Sequence, residues 1–340
     1  MPILGITASS ILAAPANVIA LASGTTPYIL AYPWSSATGF GTKYSNPTTL
    51  PADSYGLRFS PNGDIIAIGG GSPYIVAYPW SNSTGFGAKF ANPATLPLGD
   101  NNGVVWKPTQ DAIFMSNESS VRIEAYAWSS GGFGSRYANP ASLATVEGTD
   151  VDYTATGGNY VGISNIASPY QAIYPWSSGF GTRVSNPASA INGGPRGIKW
   201  NPAGNAILFG TDTSPFIQAY AWSSGFGSKY SNPATTPTAG QGRKVAWTPD
   251  GTALAMIGQD TPYVYSYAWS SGFGSKYADP ATLPTGQGRN VSWSAAGTEI
   301  AVVHTTSPFV TAYTWSSGFG TKYANPATLP GGTPYDVSFK

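Results

Sequence analysis

The 340-residue chain contains no cysteine, which excludes disulfide staples, thiolate metal sites and cysteine nucleophiles together. Histidine is nearly absent as well. His304 stands alone, so neither a histidine-rich metal centre nor a pair of catalytic histidines can form. Charge is scarce, at 9% of residues against a usual share of about 25%. The 16 Lys and Arg nearly cancel the 15 Asp and Glu, and a net charge of +1 argues against a nucleic-acid partner. No apolar run approaches the ~18 residues of a membrane span, so membrane insertion is not expected. There is no Gly-x-Ser-x-Gly elbow to activate a serine and no Walker-type phosphate loop. The apolar stretch through Ala14 has no basic residues before it, so residues 1–16 are read as an N-terminal extension rather than a secretory signal.

What the chain has in abundance is glycine, proline and aromatic residues. The 42 Gly and 29 Pro make up about a fifth of the chain, too much for a helical protein, and 11 Trp, 21 Tyr and 14 Phe suit stacked β-structure. These residues recur with a period. A Trp followed by Ser stands at Trp34, Trp80, Trp128, Trp176, Trp222, Trp269 and Trp315, at spacings of 46 to 48 residues. A second series, Phe59, Trp106, Tyr153, Trp200, Trp247, Trp293 and Phe339, keeps the same period. Seven units of about 47 residues, punctuated by Gly and Pro, point to a propeller of four-stranded blades.

The best-formed unit shows the order of strands. Val245-Ala246-Trp247 is a short inner strand ended by the turn Thr248-Pro249-Asp250-Gly251, where glycine is free to take positive φ. Residues 253–258 form a second strand, 263–269 a third and 273–278 an outer one, and Asp279-Pro280 begins the crossing to the next unit. The chain opens on strands two to four of a blade and ends on a lone inner strand, residues 335–339. Pairing that strand with the N-terminal blade closes the ring and removes an exposed edge. Residues 4–8 are an alternative inner strand, which would leave Phe339 free to pair with a neighbouring subunit. The fold expected is thus an all-β, seven-bladed propeller of antiparallel blades over residues 17–340, a single domain.

Phe59-Ser60-Pro61-Asn62-Gly63 and Trp247-Thr248-Pro249-Asp250-Gly251 resemble the inner-strand turn of WD40-like propellers. Trp-Ser stands where that family has Trp-Asp, and the Gly-His pair is missing, so its hydrogen-bond network does not carry over. The regular Trp-Ser-Ser-Gly-Phe-Gly repeats also resemble WD40-like proteins of tailed bacteriophages. That resemblance implies a component of a virus particle, in the tail or on the capsid surface.

Each repeated position has a reading. Tyr32, Tyr78, Tyr126, Tyr174, Tyr220, Tyr267 and Tyr313 lie two before each Trp and share its strand face, which makes the pair a core element. Six before each Trp stand Tyr28, Tyr74, Arg122, Tyr170, Phe216, Tyr263 and Phe309, after a turn usually carrying Ser-Pro or Thr-Pro. If exposed on the rim of one mouth, they form the candidate partner-binding ring; otherwise they cap blade interfaces. Four before each Trp the residue varies (Leu30, Val76, Glu124, Ala172, Gln218, Tyr265, Thr311), and solvent exposure is the simplest expectation. Lys43, Lys89, Arg136, Arg183, Lys229, Lys276 and Lys322 form a basic ring on the outer strands, read as protection against edge-to-edge association rather than as an anion site. Asp150 and Asp152 share a strand face near Glu147, and a hard cation is thinkable there, but drift of one blade is the expected explanation.

These readings lead to a non-catalytic propeller serving as a structural or binding part of a virion, with virion proteins or a host-surface glycan or protein as partners. The location that follows is the virion. A secreted glycan-binding lectin using the aromatic mouth is the alternative, and an intracellular scaffold a third. No cofactor or metal is expected, and homo-oligomers or stacked rings remain open. A carboxylate pair assembled across blades is the one catalytic arrangement left.

Overall fold

The structure, a computed structural model, describes residues 17–144, 146–154, 156, 158–238 and 240–340. The N-terminal extension and the alternative inner strand at residues 4–8 lie outside the described residues. Seven antiparallel sheets radiate from a common axis. Their inner strands, Pro334–Phe339, Ser54–Phe59, Asn101–Trp106, Gly148–Tyr153, Pro195–Trp200, Gly242–Trp247 and Gly288–Trp293, define blades 1 to 7 in ring order. Blade 4 carries three strands, and its outer strand shrinks to the single bridge Trp176–Phe180.

The ring closes as the repeat register requires. The C-terminal strand pairs with Asn17–Ser23 through Ile19–Phe339 and Leu21–Val337, so blade 1 is built from both ends of the chain. Turns between the first two strands place Gly63, Gly204, Gly251 and Gly297 at φ 69–71°, the left-handed conformation that glycine adopts freely; the first three are Pro-x-Gly turns and the last is Ala295-Ala296-Gly297.

Neighbouring blades pack a large face against a small one. Tyr32 and Trp34 meet Ala301, Val303, Val310 and Ala312 of blade 7, whereas Ile29 and Ala31 on the opposite face meet Tyr78 and Trp80 of blade 2. Each Trp is also met edge-on by an aromatic of the preceding blade where one is present, as in Trp34–Tyr323 at 4.9 Å and Trp80–Tyr44 at 5.0 Å. Burying such pairs contributes several kcal/mol per blade at ~25 cal/mol per Å².

One expectation about the third strand is corrected. The variable residues four before each Trp are buried, at no more than 4% exposure. They vary because each answers a different neighbour. Glu124 accepts from the Leu98 amide and pairs with Arg136 at 2.9 Å. Gln218 bonds both the amide and the carbonyl of Asn192, and Thr311 bonds His304. Glu124 and Gln218 thus tie the preceding crossing down to the blade.

Candidate functional site

The inner strands converge on the axis, and what they present there decides the chemistry. Residues three and one before each inner-strand aromatic alternate onto the lumen, as in any strand. The residue four before should point the other way, into the blade interface. It does not, because every inner strand carries a β-bulge at that place. In blade 5, Pro195 pairs with Thr211 and Gly197 with Gly210, which leaves Arg196 as the extra residue. The same slip occurs in the other six blades. A bulge inserts one unpaired residue and re-aims its side chain. Seven side chains, Tyr335, Tyr55, Asn102, Thr149, Arg196, Arg243 and Arg289, are thereby delivered to one mouth of the ring.

They line a cavity of about 320 Å³, together with Glu118, Glu147 and Lys244. Its wall is divided. Blades 5, 6 and 7 supply three adjacent arginines, blades 1 and 2 supply Tyr335 and Tyr55 in edge contact at 5.3 Å, and the two glutamates stand beside blades 3 and 4. The arginines are not neutralised. Their buried Nε atoms lack acceptors, and among the described residues none of the three guanidiniums has an ion-pair or hydrogen-bond partner. Arg289 lies over the ring of Tyr335 at 5.7 Å. Burial, followed by repulsion from Arg289 and Arg196, pushes the Arg243 pKa down to about 10. Unpaired cations held this close constitute a site that gains stability from an anion.

The floor is a plug of paired charges. Asp150 accepts from Lys244 at 3.0 Å, from Lys199 at 3.4 Å and from the Ile198 amide at 3.2 Å. Although burial opposes it, the pull of Lys199, Lys244 and Arg58 holds the Asp150 carboxyl down at about 2. Asp336 accepts from the Leu57 amide at 2.8 Å, pairs with Arg58 at 3.3 Å and bonds Asn290. Small residues let the strands approach here. A side chain at Gly197 would meet the Arg243 carbonyl at 2.7 Å, and one at Gly56 would meet the Gly103 Cα at 2.9 Å. The acids of blade 4 therefore have a purpose other than drift. Asp150 and Asp152 are the counter-charges of Lys199 and Lys244, and the ammonium groups stand where a metal would have to bind. Among the described residues no acidic cluster fit for a metal ion occurs.

The residues singled out from sequence lie elsewhere. Tyr28, Tyr74, Arg122, Tyr170, Phe216, Tyr263 and Phe309 are half-buried and all in the left-handed region, φ 64–74°, at the turn between strands two and three. None lines the axial cavity, and Tyr170 and Phe216 pack against core clusters of their blade interfaces. Six of the seven follow a cis X-Pro bond. In the basic ring, Lys43, Lys89, Arg183 and Lys322 bond the asparagine three residues on and a nearby carbonyl. Arg136 bonds Asn139, and Lys276 pairs with Asp279 at the same spacing, so six of the seven basic residues anchor the start of a crossing. For Lys229, burial lowers the pKa.

No family model matches the chain, and no curated protein matches its sequence. Its fold is shared with solved seven-bladed structures. A protein of Bacteroides uniformis assigned as a 6-phosphogluconolactonase superposes with a TM-score of 0.75 at 15% identity, covering 96% of this chain and 100% of that one. One of Bacteroides fragilis with the same assignment gives 0.72 at 13% identity, covering 98% and 100%. The periplasmic gluconolactonase of Pseudomonas aeruginosa gives 0.70 at 13% identity, covering 95% and 99%. These likenesses are at the level of the fold.

They nevertheless overturn the functional expectation from sequence. The non-catalytic virion component, the lectin and the scaffold were inferred from repeat style and from the absence of catalytic motifs. The neighbours bear the names of hydrolytic enzymes, and nothing links this chain to phage repeat proteins. Motifs are read from neighbours in sequence, whereas the polar groups of this cavity come from seven separate inner strands and from two glutamates beside strand ends.

Proposed function

We propose that this chain is an enzyme that hydrolyses lactones of negatively charged sugar acids in the axial cavity. The observation that carries the reading is the set of three unpartnered guanidiniums facing the same small cavity as two carboxylates. A lactone is a cyclic ester, and its hydrolysis needs a site for the substrate, an activated water and relief of negative charge on the carbonyl oxygen. Arg196, Arg243 and Arg289 supply five N–H donors each in rigid forks that suit phosphate or carboxylate oxygens. Glu147, half-buried at the mouth and without an ion-pair partner among the described residues, is the base that takes a proton from water, with Glu118 beside Asn102 lining the same cavity. Tyr335 and Tyr55 form the wall against which the uncharged part of the substrate rests. The names of the fold neighbours support the same class of reaction.

The test is proton release from gluconolactone and 6-phosphogluconolactone, corrected for spontaneous opening. Wild-type protein should accelerate the phosphorylated lactone most. Arg243→Gln should raise KM for it by about 30-fold or more with a smaller effect on the neutral lactone, and Glu147→Gln should lower kcat by about 100-fold. Rates no higher than spontaneous opening for every lactone tried would refute the reading.

A further inference from the structure

We propose that Lys244 is the proton donor to the leaving oxygen, an assignment that rests on the lactone-hydrolase reading above. Opening a lactone expels an alkoxide, a poor leaving group unless a proton reaches it as the carbon–oxygen bond breaks. Of the four cations in the cavity, Lys244 alone is held and aimed by acceptors of the floor, whereas the three guanidiniums bond no described residue. Its place in the strand suits the task. Because of the bulge in Gly242–Trp247, Lys244 and Arg243 both reach the cavity although they are adjacent in sequence.

The ammonium is aimed by its partners. One N–H bonds Asp150 at 3.0 Å and another the Thr149 carbonyl at 2.7 Å. An ammonium has three donors, so one is left without a protein acceptor among the described residues. The Lys244 side chain is 16% exposed, and Asp150 beneath it is buried. The charged groups around it are Asp150 from blade 4, Lys199 from blade 5, Asp336 from blade 1 and Arg243 on its own strand. Burial outweighs the attraction of Asp150 and lowers its pKa, which makes the ammonium a better acid than an exposed lysine.

The step balances. The Glu147 carboxylate takes a proton from water as the water oxygen bonds the lactone carbonyl carbon, and the carbonyl π pair moves onto oxygen. Re-formation of the carbonyl breaks the bond to the ring oxygen, whose electron pair takes a proton from Lys244 Nζ. The products are the open hydroxy acid, a protonated Glu147 and a neutral Lys244. Solvent returns the proton from the acid to the amine.

Lys244→Arg separates this role from mere charge. It keeps the positive group and removes the transferable proton. With the lactone, kcat should fall about 100-fold while KM stays within about threefold. With a nitrophenyl ester of the same sugar acid, whose leaving group departs without a proton, kcat should stay within about threefold. The alkaline limb of the wild-type kcat profile should appear with the lactone and be missing with the aryl ester. If Lys244→Arg does not fold, this wild-type comparison decides alone, and an identical limb for both substrates would overturn the assignment. Equal losses on both esters, or none on the lactone, would overturn it as well. A wild-type protein that opens no lactone refutes the hydrolase reading itself. One that does, with an equally fast Lys244→Arg, refutes this assignment only.

Discussion

The hydroxyl of Tyr32 donates a 2.8 Å hydrogen bond to the carbonyl of Thr328, joining residues 296 positions apart. The same latch recurs in five other blades: Tyr78 to Thr49, Tyr126 to Thr95, Tyr174 to Ser142, Tyr267 to Thr235 and Tyr313 to Thr282, at 2.6 to 2.9 Å. Six of the seven crossings are thus held by a tyrosine hydroxyl of the following third strand. Tyr220 breaks the series, because its buried hydroxyl has no partner among the described residues.

That exception makes a sharp comparison. Tyr267→Phe should cost about 1 kcal/mol, the net worth of a hydrogen bond, and leave the Thr235 carbonyl unsatisfied. Tyr220→Phe removes a buried polar atom that bonds nothing among the described residues and should be neutral or stabilising by up to about 1 kcal/mol. Denaturant midpoints measured on both variants check the difference. Equal losses would mean that the latch has no energetic meaning.

Closure makes a second prediction. Removing residues 335–340 takes away the inner strand of blade 1, and with it Asp336 and the edge contact of Phe339 with Trp34 at 5.2 Å. The strand Asn17–Ser23 then offers a bare edge to other molecules. The truncated chain should aggregate or lose its cooperative melting. A soluble monomer with unchanged melting would show that the last strand does not hold the ring.

Why was so much of the fold legible, and so little of the site? The Trp and Tyr positions were readable because side chains of Ile29–Ser35 alternate between two blade interfaces, with Leu30, Tyr32 and Trp34 in one core cluster and Ile29 and Ala31 in the other. The cavity depends on the one place where alternation fails. Arg196, Arg243 and Arg289 each stand four before a Trp, on what a regular strand makes the core side. Three guanidiniums cannot be buried in an apolar interface, so that conflict was the available signal for a bulge. Glu124 and Gln218 escaped for a related reason. They look like surface residues until the crossing that each one bonds is folded over it.

The plug predicts a large loss from a small change. Asp150→Asn keeps the shape but leaves Lys199 and Lys244 buried beside a neutral amide. Breaking one member of a buried ion network typically costs about 3–5 kcal/mol. Chemical denaturation should show a loss of that order. A loss under about 1 kcal/mol would mean that water, not Asp150, neutralises the lysines.

The cationic wall predicts a trade between stability and binding. Arg243 is desolvated and repelled by its two neighbours, so Arg243→Met should raise the melting temperature of the ligand-free protein by a few degrees, for a gain of about 1 kcal/mol. Inorganic phosphate should stabilise wild-type protein by mass action and stabilise the variant far less. If phosphate moves neither melting point, the arginines are not an anion site.

His304 makes the last prediction, and its sign follows from where it is buried. The ring is fully enclosed, with Nε2 at 2.9 Å from Thr311 Oγ1 and Nδ1 at 3.4 Å from Thr285 Oγ1. Burial, aided by Lys322, lowers its pKa from 6.5 to about 4. Between those values the unfolded chain binds a proton that the folded chain refuses. Stability is therefore complete above pH 6.5 and is lost as the pH falls toward 4, by about 3 kcal/mol once both states are protonated. Glu124 works in the opposite direction, since burial raises its pKa. Comparison with His304→Gln, which titrates nowhere, cancels that contribution. Wild-type protein should lose about 3 kcal/mol more than the variant between pH 7 and pH 4. Parallel stability curves would show that the buried imidazole carries its proton in the folded state.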